Sequence, residues 1–309
     1  MINGCPGAYN ISDDIVIVGA TRQEHDERLL AVVKRLHEKG LTLNPDKCQI
    51  GITSIKYMGH ILTGSEGIKV CDDKVKAITH APEPKNNHEV RSFLGSVMFC
   101  SRFIKDFATI SQPLWDLTRA GVTWKWDKPE QQAFDEIKCK LTTAPIMAYF
   151  KSGAKTRITT DASKVGLCAI VEQEQADGEY RPVYYSSRKL TDVETRYSQF
   201  EREALAIRWA CQKFHLFIYG INFEILTDHK PLVTVYGDTQ KPANARLERW
   251  RLNLQPYSYT IRHSRPKEPC RCLEPSTTRR SRGRCNTRAN RRLCFLYNYT
   301  GTTCSNTTE

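Results

Sequence analysis

From Met147 onward the apolar residues change period in a fixed succession. Strand-like runs span Thr156 to Thr160, Gly166 to Glu172 and Arg181 to Ser187, with a turn signal at Asp177-Gly178. A helical stretch runs from Thr191-Asp192-Val193-Glu194 to about Phe217, followed by a strand from Phe223 to Thr227, a helix-like run from Asn244 to Leu254 and a strand from Tyr257 to Arg262. Three strands, a helix and a further strand bury their apolar faces together as a mixed sheet with helices laid against it. The class expected of this half is therefore α/β.

The upstream half reads differently. Ile15-Val16-Ile17-Val18-Gly19 is a short apolar run of the kind buried in a sheet, and Thr21-Arg22-Gln23-Glu24 is a capping box. Leu29, Val32, Val33 and Leu36 then share one helical face before Gly40 closes it. A β-rich stretch from Ile55 to Val70 is broken by Gly59, Gly64 and Gly67 as hairpins are, and the prolines at 82 and 84 mark a joint. Beyond it Val90, Phe93, Leu94 and Val97 fall at helical spacing, and Asp127 with Glu130 caps a second helix striped by Phe134, Ile137 and Leu141.

A chain of 309 residues, 40% hydrophobic and 26% charged, is long enough for roughly two domains with cores of their own. Its net charge of +12 favours a polyanionic partner, but half of that excess sits after Glu268, where eight arginines face two glutamates. The signal from the remainder is moderate. No apolar run approaches the roughly 18 residues of a membrane span and no leader follows Met1, so an intracellular protein is expected. Cysteines 5, 48, 71, 100, 139, 168 and 211 are scattered singly, as small hydrophobes rather than a disulfide frame. The five in the tail lack the paired spacing of a zinc module.

Two acidic constellations carry the chemistry. Asp13-Asp14 sits at the start of a strand that leads into a helix. Adjacent acids cap helices and decorate turns, and they also bind cations, which relieve their repulsion. Downstream, Asp161 follows a strand, Asp228 ends one, and Glu203 lies in Glu201-Arg202-Glu203-Ala204-Leu205-Ala206, where small neighbours let a helix approach a sheet closely. Cleaving a phosphodiester asks for two hard cations held by carboxylates, and acids on two strands and the helix between them can supply most of such a cage. Acids at element ends are equally ordinary surface charges.

The wording around these acids is more specific. Thr159-Thr160-Asp161-Ala162-Ser163, Tyr197-Ser198-Gln199-Phe200-Glu201-Arg202-Glu203-Ala204-Leu205-Ala206 and Leu226-Thr227-Asp228-His229-Lys230-Pro231-Leu232 together resemble the RNase H domain of gypsy-type LTR retrotransposon polyproteins. Asn10-Ile11-Ser12-Asp13-Asp14-Ile15-Val16-Ile17-Val18-Gly19 resembles the reverse-transcriptase palm of the same polyproteins. Lys39-Gly40-Leu41-Thr42-Leu43-Asn44 and Cys48 follow in family order, and Tyr57-Met58-Gly59-His60 resembles the hairpin that grips the primer end. Phe93-Leu94-Gly95 and Phe103-Ile104 resemble the thumb. Ile11 and Ser12 depart from the aromatic and aliphatic residues usual there, which bears on nucleotide selection.

The resemblance implies a partial palm and helical thumb followed by an RNase H-like mixed sheet flanked by helices. It divides the chain into a palm with primer-grip hairpin over 1–72, a thumb or connection over 73–146, an RNase H-like domain over 147–268 and a basic tail over 269–309. It makes Asp161, Glu203 and Asp228, and Asp13 and Asp14, catalytic ligands of Mg²⁺ or Mn²⁺, and Tyr57, Met58, Gly59 and His60 nucleic-acid contacts. Glu201 is the poorer match to the family acid, and His60, His215 and His229 are read as packing or hydrogen-bonding residues. The implied partner is an RNA–DNA hybrid, whose RNA strand is cut. An alternative is an inactive nucleic-acid-binding remnant.

Two family features are missing from the sequence as it stands. The palm's earlier Asp-bearing strand and the fingers would precede residue 1, so polymerisation by this chain alone is not expected. The last RNase H carboxylate belongs to a proline-alanine-aspartate-alanine-leucine-serine-arginine motif, where this chain reads Pro269-Cys270-Arg271-Cys272-Leu273-Glu274-Pro275. One choice of codons for those residues, CCC TGC CGA TGC CTT GAG CCG, read one base later gives CCT GCC GAT GCC TTG AGC CG, the family motif. The tail is therefore expected to be translated out of frame and disordered. A divergent basic arm that binds nucleic acid or an import receptor is the other reading.

Overall fold

The structure is a computed structural model that describes residues 2–11, 13–64, 66–237 and 244–264, and the backbone of 292–296. Contacts divide the chain into two units, the first from Met1 to Ile68 together with residues 277–309, the second from Lys69 to Ser276. No helix among the described residues is long and apolar enough to cross a membrane.

In the first unit β1 (Ala8–Ile11) and β2 (Asp14–Gly19) form an antiparallel hairpin closed by the pair Ile11 and Asp14. Helix α1 (Arg22–Glu38) starts where expected, with Thr21 Oγ1 accepting from the Glu24 N–H at 3.2 Å, and Val32 and Leu36 pack on Ile15 and Ile17. Strand β3 (Gln49–Ile52) is followed by a three-stranded sheet of β4 (Ser54–Tyr57), β5 (His60–Thr63) and β6 (Gly67–Val70). The link between β4 and β5 is the two-residue turn Met58-Gly59. Both residues have positive φ, 47° and 71°, as the strand-matched type I′ turn demands.

The second unit opens with helices α2 (Asp72–Thr79), α3 (Asn87–Met98), α4 (Phe107–Ile110), α5 (Gln112–Leu117) and α6 (Lys128–Thr142). The predicted stripes are the buried ones: Val90, Phe93, Leu94 and Val97 of α3, and Phe134, Ile137 and Leu141 of α6, with Phe93 and Phe134 ring to ring at 4.6 Å. The Asp127–Glu130 capping box is present. The proline pair falls between α2 and α3, inside this unit.

The mixed sheet follows: β7 (Thr156–Ala162), β8 (Gly166–Glu174) and β9 (Tyr180–Lys189), then α7 (Gln199–Lys213), α8 (His215–Ile218), β10 (Asn222–Thr227), α9 (Lys230–Tyr236), α10 (Ala245–Leu254) and β11 (Ser258–His263). The strand order is β11-β10-β7-β8-β9, with β10 parallel to both β7 and β11 and the β7-β8-β9 part antiparallel. Parallel neighbours need a crossover, and α7 with α8, then α9 with α10, provide the two. Alternate β7 residues Ile158, Thr160 and Ala162 are buried, and the wholly buried run Ala204-Leu205-Ala206-Ile207 of α7 belongs to the same core.

The sequence reading needs four corrections here. Strand β7 runs through Asp161 to Ala162 rather than stopping at Thr160. The helical stretch from Thr191 to Phe217 is not continuous: a single turn at Glu194–Arg196 gives way to extended backbone at Ser198, which restarts the helix with a capping box to Glu201. Helix α9, with Pro231 in its first turn, was not foreseen. Finally, the tail expected to be disordered contains a strand, β12 (Arg292–Leu296), which lies in the first unit, antiparallel to β2 and β3 and between them. The stretch 269–275, expected to be translated out of frame, and the rest of the tail from 269, apart from this strand, lie outside the described residues.

Candidate active site

The downstream acids come together at one end of the mixed sheet. Strands β7 and β10 pair in parallel, with Leu226 beside Thr159, so Asp161 and Asp228 each lie two residues past that pair. The end of β10 is pinned to β11: Thr227 O accepts from the Ser264 N–H at 2.9 Å, and His263 Nε2 meets Asp228 O at 3.0 Å. Both acids line a cleft of about 230 Å³ with Lys105, Thr159, Cys168 and Ser264.

Glu203 reaches the same place from α7. It is only 3% exposed, and its Oε1 accepts from Gln199 Nε2 at 2.6 Å. The same Gln199 amide nitrogen donates to Ala162 O at 2.8 Å, and Gln199 Oε1 accepts from Arg202 at 2.8 Å. Gln199 thus fastens the helix to the end of β7 and aims the glutamate. Glu203 Oε2 is buried with no hydrogen-bond partner, an expensive condition for a carboxylate. Glu201, by contrast, is spent on structure, capping α7 through the Ser198 N–H and pairing with Arg246 at 2.7 Å.

Electrostatics report how near the acids are. Burial, then the charges of Asp228 and Asp161, pushes Glu203 up to about 8. Solvent reaches Asp161, yet the walls of its cleft strip part of its hydration; that desolvation, then Asp106 and then Asp228, raises its pKa. The Gln199 hydrogen bond and the Ala162 backbone N–H pull Glu203 the other way, as they would support an ionised carboxylate.

The donor set fits a hard divalent cation: acidic oxygens with one buried oxygen unpartnered. Among the described residues no three His, Cys, Asp or Glu side chains are gathered closely enough to hold a metal ion as they stand.

The upstream acids occupy the β1–β2 hairpin of the first unit. Asp13 is exposed in the turn, and Asp14 opens β2, its pKa raised by burial and then by Asp13. Val16 and Ile55 pack together with Tyr57 and Leu62 against them, which brings the β4–β5 hairpin to β2. Burial and the charge of Asp14 raise the Tyr57 pKa, so this side chain faces the acid pair. Met58 is half exposed at the hairpin tip, with Gly59 and His60 beside it. His215 bonds Tyr257 Oη at 3.0 Å and His229 packs on Phe200 at 5.5 Å, roles of the kind the sequence suggested.

Sequence reasoning missed Gln199 and Asp106. The first had a signal, since it stands four residues before Glu203 on one helical face. Asp106 had none, because its neighbourhood is made by tertiary packing.

Comparison with known proteins agrees with this geometry. Residues 151–257 match the pattern of the RNase H-like domain found in reverse transcriptase, and residues 10–62 match that of reverse transcriptase (RNA-dependent DNA polymerase). Over 253 residues, 81% of this chain, the transposon Tf2-3 polyprotein of Schizosaccharomyces pombe is 32% identical and Tf2-7 is 31% identical. The chain spans 19% of the length of each. Among solved structures, the foamy viral protease-reverse transcriptase dRH in complex with ds DNA superposes with a TM-score of 0.73 at 20% identity, over 87% of this chain and 48% of that one. The same protein in complex with RNA/DNA hybrid gives 0.70 at 21% identity, over 93% and 39%. These structures share the fold. The chain belongs to the reverse transcriptase and RNase H region of gypsy-type LTR retrotransposon polyproteins.

Proposed function

We propose that this chain binds an RNA–DNA hybrid and hydrolyses its RNA strand at the Asp161–Glu203–Asp228 site with Mg²⁺ or Mn²⁺. One observation carries the reading: a buried glutamate with an unpartnered oxygen, raised to about 8 by burial and then by two aspartates at the ends of adjacent parallel strands. Residues 1–72 would be palm with the primer-grip hairpin, 73–146 thumb or connection, and 147–268 the nuclease. Asp13 and Asp14 would be palm metal ligands, with Tyr57, Met58, Gly59 and His60 touching nucleic acid. Support for a nucleic-acid partner comes from the foamy viral relatives of this fold, solved with ds DNA and with RNA/DNA hybrid.

Asp161, Glu203 and Asp228 would hold the cation. When bound, it supplies Lewis acidity that eases deprotonation of water and offsets charge on the departing oxygen. The protein's part is placement. Gln199 holds Glu203 Oε1 and the end of β7 together, and the β10–β11 bonds fix Asp228. Lys105, beside Asp161, is placed to meet a phosphate. Such a site reads backbone shape and 2′-hydroxyls rather than base edges, so weak sequence preference is expected.

A second reading is hybrid binding without turnover, because residues 269–275 do not spell the family's last carboxylate motif. A cleavage assay on a labelled hybrid separates them. Slow Mg²⁺- or Mn²⁺-dependent cutting that disappears in Asp161→Asn supports the nuclease. Salt-sensitive binding with no cutting in either metal selects the inactive remnant.

A further inference from the structure

Strand β2, which opens on Asp14, is buried on both faces. Ile15 and Ile17 pack with Val32 and Leu36 on one side, and Val16 packs with Ile55 on the other. A strand enclosed in this way has to pair along both edges, because water cannot serve its N–H and C=O groups. One edge goes to β1 through the hairpin. Among the described residues the other edge is taken by β12 alone, which comes from the far end of the chain.

The two sides of β12 differ. Toward β2 the register is unbroken over five pairs, from Arg292 with Gly19 to Leu296 with Ile15. Toward β3 it keeps two, Leu293 with Ile52 and Phe295 with Gln49. That interval is one residue longer on β3 than on β12, and the extra residue is accommodated where Gly51 takes φ 70°. In sequence Arg292-Leu293-Cys294-Phe295-Leu296 is mostly apolar and holds neither an acid nor a proline. Such a composition suits a strand laid beside a buried one, and it completes the sheet next to Asp14 without adding a carboxylate.

We propose that the gap between β2 and β3 is a strand-acceptor slot, and that β12 occupies it as a detachable insert of the chain's own tail rather than as an integral part of the sheet. Its distance from β2 in sequence and its irregular pairing to β3 set it apart from β1. Main-chain hydrogen bonds to β2 supply the recognition, so the slot selects an extended, apolar, proline-free segment running antiparallel to β2. This role for the tail does not depend on the metal-site reading.

Placement is tested in the intact fold. Directly opposed antiparallel residues have Cα atoms about 4.5–5.5 Å apart, within disulfide reach. Ile17→Cys should therefore link to Cys294 on mild oxidation, mapped by mass spectrometry, whereas Val18→Cys, one step out of register, should not. A link from position 18 and not 17, or from neither, overturns the proposal. Detachability is tested by hydrogen exchange in Phe295→Pro, since proline cannot donate to a ladder. Amide protection over residues 15–19 should fall by about tenfold or more, with β7 and β8 unchanged. A synthetic peptide of residues 290–298 should restore it in proportion to peptide concentration. The wild type should ignore the same peptide, because its tethered strand competes at an effective concentration of roughly millimolar. Undiminished protection in Phe295→Pro overturns the proposal. So does protection that is lost and not regained with peptide, which would make β12 an integral strand.

Discussion

The two acidic sites are assembled in opposite ways. Asp13 and Asp14 are adjacent in sequence, sit on one hairpin, and depend on little beyond the pairing of Ile11 with Asp14. Asp161, Glu203 and Asp228 come from a strand, a helix and a second strand, spread over 68 positions, and Glu203 is almost wholly buried. The first arrangement is inexpensive to form and only mildly strained. The second buries an acid whose ionisation opposes folding until a cation arrives, so its stored cost and its metal affinity are linked.

Glu203→Gln should break this contrast most visibly. Hybrid cleavage should fall by about 100-fold or more, since the buried ligand is lost. Stability should move the other way. The folded value of Glu203, about 8, lies above its ordinary 4.5, so the metal-free protein keeps a proton that the unfolded chain has released. Stability therefore falls as pH rises from about 4.5 to about 8 and levels off above. Glu203→Gln should remove that slope and gain about 1–3 kcal/mol at pH 8, read by urea melts in chelator. Asp14→Asn should show a much smaller pH effect, because its carboxyl is less enclosed.

Next in size, Gln199→Leu should weaken Mn²⁺ binding about tenfold at pH 7 and move its pH midpoint upward, because Glu203 loses the donor that favours its charged form. An unchanged midpoint would leave Gln199 a merely structural residue. Ala204→Leu should cost about 1–3 kcal/mol by overpacking the buried face of α7, with cleavage falling in step as Glu203 is displaced. The smallest effect belongs to the first unit. Met58→Asn should stabilise by about 0.5–1 kcal/mol, since asparagine accepts the positive φ that methionine resists, and a thermal melt reads it.

The same contrast explains what could be read from the sequence. The strand from Thr156 to Thr160, the small run Ala204-Leu205-Ala206 and the cap at Thr21 are local signals, and each is realised. The acids were found because they sit in recognisable local wording. The break at Ser198 was missed because apolar spacing continues through Tyr197 and Phe200 and hid a capping box that was present in the letters. Asp106 was invisible for a different reason: its relation to Asp161 spans 55 positions and exists only once the helical segment lies against β8 and β9.

The shared offset of Asp161 and Asp228 from the Leu226–Thr159 pair makes the β7–β10 ladder a ruler. Side chains change face at every step along a strand, so deleting Thr227, the last residue of β10, would swing Asp228 to the opposite side while leaving Phe223 and Ile225 in the core. A lineage of such elements could lose its chemistry through one codon and keep its shape, and a count of residues between Phe223 and Asp228 would reveal it where overall likeness would not.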